Sequence, residues 1–379
     1  MRKVSGPAIA ITAFIVCTLL AETLLTFFAP IPDPYREYKY FSLIQFIRSE
    51  FPLNYHIVTE VEVGLPGIKG QNHFSTNNMG FRGDYLALPK PKNEFRIFMI
   101  GGSTTECFYL DDSESINAVL QHELQNHVAG TRSFKVYNAG KSGDASDDHI
   151  SMLVHRIVHL QPDMIIIFAG VNDLLRSISN HDYLHFVKKT NNLEKHPFPH
   201  LLATEFQIPR RLYYAIKGIS VSEQEILETI TLKSDYKEKI ALRKSAPISN
   251  EKPRTDTDAY SRNLKTIYGV AKAHAIQLIF MTQQSTWASP IDHEVQNWHW
   301  LLYRAGIDYR EDAMSEALES LNDVTRQISK EYAVPLYDLV KLMPKSSEFF
   351  YDDVHFNVKG SRTAAKELAK YIFQKSLIP

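Results

Sequence analysis

The sequence predicts an α/β protein: a doubly wound three-layer sandwich around a central parallel sheet, with one transmembrane helix ahead of it. Three observations predict this. Short apolar runs alternate with longer amphipathic stretches over most of the chain, the pattern of repeated strand–helix units. The run "DMIIIFAG" (163–170) is nearly all apolar, as a strand covered by helices on both faces must be. Residues 7–29 carry a single charge and are long enough to cross a bilayer as a helix.

The elements follow in order. Arg2 and Lys3 precede "PAIAITAFIVCTLLAETLLTFFA", in which Glu22 is the one charge and lies toward the far end. A cleaved signal peptide has a shorter apolar core and a small-x-small site, so an uncleaved signal anchor is expected. Val16 stands where a lipoprotein box has a small residue, and Cys17 reads as a lipid-facing side chain. Positive charge stays in the cytoplasm. Residues 1–6 are therefore expected in the cytoplasm, 7–29 in the membrane, and the remainder outside it, periplasmic or extracellular. "PIPDPYREYKYF" ends the helix with prolines and supplies tyrosines for the interface or for ordinary packing. Residues 30–60, including "FSLIQFIRSEF", read as a juxtamembrane connector.

Beyond residue 61 the folded domain begins. "FRIFMI" is a buried strand by length and composition, and "SINAVLQHELQNHV" is an amphipathic helix. "FKVYNAG" is the second strand, and "ASDDHISMLVHRIVHLQ" is a helix stopped by Pro162. "DMIIIFAG" is the third strand. From about 181 to 257 the alternation breaks into a polar helical insertion, a lid or a partner surface. It contains "IPRRLYYAIKGI", whose "PRRLYYAIK" fits a packed helix better than a lipid contact. "AYSRNLKTIYGVAKAHA" and "IQLIFMT" resume the pattern. The helix "AMSEALESLNDVTRQISKEY", the strand "VPLYDL" and a loop–helix close, "YDDVHFNVKGSRTAAKELAKYIFQ", complete it.

Composition excludes some functions. Hydrophobic residues make up 44% of the chain, ample for a core, and the formal net charge of −1 gives no general attraction to nucleic acid. Two cysteines, Cys17 and Cys107, form no metal-type cluster and are not expected to pair. His149, His155 and His159 fall on one predicted helix, share a face only in part and have no carboxylate cluster, so they are expected to be structural.

Ligands of doubly wound folds bind at the carboxyl ends of strands, so the residues after each strand matter. "GGSTTECF" after the first has neither G-x-x-x-x-G-K-[ST] nor G-x-G-x-x-G spacing, which argues against phosphate. Its glycines let the strand turn sharply and expose Ser103. The G-x-S-x-G elbow is absent, because residue 105 is threonine. "DDVHFN" near the end places Asp352 and His355 at D-x-x-H spacing. A short loop can then orient the imidazole with the carboxylate while the other ring nitrogen serves Ser103. Asp353, two residues from His355, is expected to point away. Gly143 in "NAGKSGDAS" can bring a backbone N–H close to a developing oxyanion, or merely turn the chain. Asn172 in "AGVNDL" can offer its amide there, or cap a helix, a role Asp173 fits better. Trp287, Trp298 and Trp300 follow the "FMTQQ" strand. They offer either a pocket wall for a sugar or acyl group, or packing under a loop, which is the simpler expectation. Gln283 and Gln284 follow the same strand end and are expected to border the site.

The ordered set Ser103, Gly143, Asn172 and His355 resembles the SGNH hydrolases, also called the GDSL esterase/lipase superfamily. "IGGSTT", "NAGKSGDAS", "AGVND" and "DDVHFNVKG" look like its four blocks, over about residues 96–379 without the insertion. The preceding "NNMGFRGD" looks like a segment of membrane-anchored bacterial members. The resemblance implies an SGNH, flavodoxin-like hydrolase domain over 61–379. It implies a catalytic triad of Ser103, His355 and Asp352, and an oxyanion hole from the N–H groups of Ser103 and Gly143 with the Asn172 amide. It implies no cofactor and no metal. Gly102 departs from the Gly-Asp-Ser of the family name, and Ala169 from a common glycine. The expected function is a membrane-anchored serine esterase acting on short-chain or acetyl esters, an acetylated glycan or a lipid ester. An O-acyltransferase of envelope polysaccharide and a non-catalytic binding protein on the same fold are the alternatives. The sequence names no protein partner.

Overall fold

The computed structural model describes residues 6–31, 50–68, 70–127, 132–179, 202, 206–217, 230–233 and 235–378. Much of the expected connector, its tyrosines, and the greater part of the 181–257 insertion lie outside the described residues. The chain divides into two compact units, one of residues 1–40 with 187–230 and one of 41–186 with 231–379.

In the first unit, helix α1 (Gly6–Phe28) takes up the apolar run. A second helix, Gln207–Lys217, belongs to the same unit.

The second unit is built on a parallel sheet. Its strands are β1 (Glu94–Gly101), β2 (Ser133–Asn138), β3 (Met164–Phe168), β4 (Gln277–Met281) and β5 (Leu336–Tyr337), in spatial order β5-β4-β3-β1-β2. β1 pairs with both β2 and β3, so successive connections leave it in opposite directions. Its carboxyl end is the topological switch point, where the strand order opens a crevice. An antiparallel pair, His56–Glu60 with Gln71–Ser75, precedes the sheet.

Side-chain alternation makes the three layers, because successive residues of a strand face opposite sides. Phe98, Ile100, Ile165, Ile167, Leu278 and Phe280 pack against the helices Ser146–His155, Thr257–Ala273 and Glu311–Glu331. Ile97, Met99, Ile166, Phe168, Ile279 and Met281 pack on the other face against Ile116–His127 and Val358–Gln374.

Two expectations differ. The insertion expected to be helical contains a strand, Ile230–Lys233, where β-branched isoleucine and threonine suit extended backbone, before the helix Tyr236–Lys244. The stretch 145–161 is not a single helix: an α-helix ends at His155, Arg156 adopts φ −127° and ψ −62°, and a 3-10 turn runs from Ile157 to Leu160. His159 therefore leaves the helix that carries His149 and His155. The Arg156 guanidinium is drawn to Glu50 and to the Met79 carbonyl 2.9 Å away, partners remote in sequence that a periodicity reading does not register.

Candidate active site

Ser103 opens a one-turn helix, Ser103–Glu106, immediately after β1. The turn ends at Cys107, whose left-handed φ of +53° lets its N–H reach back to the Ser103 carbonyl at 3.1 Å. Arg82, from "NNMGFRGD", is buried beneath this turn. It donates to the carbonyls of Glu106 (2.9 Å), Cys107 (2.7 Å) and Leu110 (2.9 Å) and pairs with Asp112. A buried guanidinium must satisfy its donors, and here it does so by holding the main chain that follows Ser103.

The role of Gly102 differs from the sequence expectation. Its φ of −86° is open to any residue, so the turn does not demand glycine. Space does: a Cβ at 102 would lie 2.3 Å from the Asn172 amide nitrogen and 3.3 Å from the Asp144 carbonyl. A side chain at 102 would displace the Asn172 amide from this position. Gly143, by contrast, has φ +81°, a conformation that favours glycine.

Three strand-end loops interlock at this point. The Asn172 amide donates to the Asp144 carbonyl at 2.8 Å, one residue after Gly143. The helix bearing it, Val171–Ile178, starts after Gly170, so Asn172 is within the first turn rather than its cap. One turn on, Arg176 donates to the Gly143 carbonyl at 3.0 Å and pairs with Asp147 and Asp148. Asp173 accepts from the Ser146 N–H at 3.1 Å. Burial pushes its carboxyl up to about 7, against the hydrogen bonds from Ser146. One short helix thus carries an amide, a cation and an acid that together hold the Gly143 loop. His149 is buried behind the loop, and desolvation pushes its imidazole down to about 4.

The loop after Phe350 brings the acid and base. His355 Nε2 is 2.7 Å from Ser103 Oγ, and Nδ1 is 2.8 Å from both oxygens of Asp352. Asp352 is fully buried and collects further donors: the N–H groups of Val354 (3.0 Å) and His355 (2.9 Å), the Tyr236 hydroxyl (2.7 Å) and the Trp300 indole (3.2 Å). Burial alone would raise this carboxyl, but the His355 imidazole and the hydrogen bonds from His355 and Tyr236 outweigh it and hold it low. The same pair acts on His355: burial favours the neutral ring, and the Asp352 carboxylate beside it raises the ring above its ordinary value. Tyr351 stacks on the imidazole with ring centroids 5.5 Å apart.

Asp353 turns away from His355. It accepts from the Trp287 indole (2.8 Å) and from the N–H groups of Trp300 (2.7 Å) and Leu301 (3.1 Å). Trp287 is fully buried, so two of the three tryptophans brace the two aspartates. Gln283 approaches Thr104 at 3.4 Å, whereas Gln284 bonds the Met343 carbonyl at 2.6 Å. Sequence reasoning missed Tyr236, Arg176 and Arg82. Only "NNMGFRGD" carried a signal, for Arg82; a lone tyrosine within a polar insertion carries none.

A strand-end serine linked to an imidazole and a buried carboxylate, on a 2-1-3-4-5 parallel sheet, defines a hydrolase-type α/β site. The model of the GDSL-like lipase/acylhydrolase family matches residues 99–363, and the chain belongs to that family, one of ester hydrolases. No curated protein sequence matches it. Among solved structures it is similar to a GDSL-like lipase from Bacteroides thetaiotaomicron, at 14% identity and TM-score 0.41, over 77% of this chain and 93% of that one. It is also similar to a catalytic mutant of an acetylxylan esterase from Geobacillus stearothermophilus, at 15% identity and TM-score 0.41, over 76% and 96%.

The crowding at Gly102 yields a test. Gly102→Ala is expected to push the Asn172 amide aside and lower kcat for ester hydrolysis about 10²-fold, the size of losing one oxyanion donor, the role expected of Asn172 from the sequence. Thermal unfolding should move little, because the displaced group is a side-chain end. Wild-type kcat in the variant would show that the amide's place is not needed for turnover.

Proposed function

We propose that the protein is a membrane-anchored serine esterase for short-chain or acetyl carboxylic esters, borne by a glycan or a lipid outside the cytoplasm. The observation that carries this is the continuous chain Ser103 Oγ, His355 Nε2, His355 Nδ1, Asp352, with no link longer than 2.8 Å. Ser103 attacks the ester carbonyl while His355 takes its proton at Nε2. Asp352 keeps the other proton on Nδ1 and stabilises the imidazolium. The N–H groups of Ser103 and Gly143 and the Asn172 amide receive the oxyanion. His355 then protonates the departing alcohol, and water releases the acyl group by the same route in reverse. Residues 7–29 anchor the chain, residues 1–6 remain in the cytoplasm, and the segment 30–60 leads to the hydrolase domain.

The test is labelling of the full chain by a fluorophosphonate probe. Labelling that Ser103→Ala abolishes is the expected result; a folded protein that shows no Ser103-dependent labelling overturns the reading. A series of p-nitrophenyl esters, from acetate to laurate, then reads the preferred acyl length.

The pH dependence follows from the two shifts. Attack requires neutral His355, which is held above 6.5 by Asp352. The acid limb of kcat/KM is therefore expected to rise with unit slope through an apparent pKa above 6.5 and level off on the alkaline side. Stability runs differently. The raised His355 stabilises the fold at low pH, and that contribution is lost as pH rises through its folded pKa. The lowered Asp352 contributes above its unfolded value and loses that as pH falls. Maximal activity should thus lie on the alkaline side of maximal stability, checked by kcat/KM and Tm across pH.

A further inference from the structure

The first unit contains a joint that the esterase site does not use. Glu22, the one charge of α1, accepts from the backbone N–H groups of Gln207 and, at 2.9 Å, Ile208. These are first-turn amides of the helix Gln207–Lys217, which have no partner within their own helix. The carboxylate also faces the positive end of that helix's dipole. The reverse cap is present too. Arg210 donates to the Ile31 carbonyl at 2.8 Å and Arg211 to the Ala29 carbonyl, while the Ile31 N–H donates to the Gln207 side chain at 2.9 Å. Each helix thus satisfies the exposed polar end of the other, the requirement for backbone near hydrocarbon.

The apolar side chains around this joint are uncovered. On α1, Phe27 and Phe28 are 76% and 82% exposed; on the second helix Leu212 and Ile216, one turn apart, are 60% and 74% exposed, with Phe206 beside its start also exposed. A short helix with basic residues on one side and exposed aliphatics on another suits the headgroup–acyl boundary, and it is fastened to the end of a helix of membrane-spanning length. We infer that Gln207–Lys217 lies in the membrane–water interface, docked on the C-terminal end of α1, with its Leu212–Ile216 face against lipid and Glu22 as the fastening. This rests on the reading of α1 as an anchor. It also makes α1 a lasting part of the protein, because a segment removed by processing would leave the amides of Gln207 and Ile208 without their acceptor.

The experiment uses the full chain with Cys17 and Cys107 replaced by serine and a single cysteine introduced as Leu20→Cys, Ile216→Cys or Lys244→Cys. Each is labelled with an environment-sensitive fluorophore and reconstituted in nanodiscs with or without brominated acyl chains. The expected result is a blue-shifted, bromine-quenched label at positions 20 and 216 and an unquenched label at 244. Adding Glu22→Ala should cut the quenching at 216 at least twofold and leave that at 20 intact. Quenching at 20 but not at 216 overturns the inference and leaves the anchor standing. A label at 216 that is blue-shifted yet unquenched does the same, because protein then covers the face. Loss of quenching at 20 overturns the anchor reading and the inference with it. Unchanged quenching at 216 on Glu22→Ala overturns the role of Glu22.

Discussion

Ser103→Ala is expected to lower kcat/KM for p-nitrophenyl acetate by about 10⁴-fold or more, roughly 5–6 kcal/mol of transition-state stabilisation. The residual rate would come from the proposed oxyanion donors and substrate binding, which the variant retains. The fold should be unaffected. Ser103 is the first residue of its helical turn, and among the described residues its Oγ has one side-chain partner, His355 Nε2; alanine suits a helix at least as well. The check is steady-state kinetics beside thermal unfolding of the same preparation. A variant within tenfold of wild type, with the contaminating esterase removed, would mean that another nucleophile does the work.

Asp352→Asn should cost a similar factor, about 10⁴ in kcat, because the amide cannot hold the imidazole in the required tautomer. Both carboxylate oxygens of Asp352 accept hydrogen bonds, from His355, Val354, Tyr236 and Trp300. Asparagine offers one acceptor and turns an NH₂ group toward donors. The pH profile separates this from simple loss of stability. Without the Asp352 charge, His355 loses the largest influence that raises it against burial, so the acid limb should move to lower pH than in wild type. Asp353→Asn is the control. It disturbs the Trp287 and Trp300 contacts and lowers Tm, and it should move the acid limb the same way but by less, because the Asp353 charge also raises His355 behind the larger contribution of Asp352. An acid limb that stays put in Asp352→Asn would remove Asp352 from the triad.

The strands and their layers were largely legible. "FRIFMI", "FKVYNAG", "DMIIIFAG" and "IQLIFMT" each became a sheet strand, because a strand buried on both faces needs an unbroken apolar run. The helix break at Arg156 was not legible, since it follows from Glu50 and Met79, more than seventy residues away. Nor was Gly102. Glycine between a strand and a helix reads as a turn residue, yet its backbone is ordinary and only the proximity of Asn172 explains it. The tryptophans were legible in part. Packing under a loop is the simpler expectation and Trp287 is fully buried, but nothing in the sequence shows that Trp287 and Trp300 donate indole N–H groups to buried carboxylates.

Sequence by itself determined the order of polar groups at the strand ends, from Ser103 through Gly143 and Asn172 to Asp352 and His355. It did so because hydrophobic periodicity ranks the strands, and a parallel sheet gathers their carboxyl ends on one rim. It also marked the apolar helix with its single charge, because a bilayer demands a length and polarity that few other environments do. Tertiary structure alone decided what holds the two adjacent aspartates in the orientations their spacing from His355 suggests, and that the second braces tryptophans. Those contacts depend on donors brought by distant segments: Tyr236 from within the insertion, Trp287 and Trp300 from the stretch after β4. A buried carboxylate takes the orientation in which all its lone pairs are met, and that condition is set by neighbours in space, not in sequence.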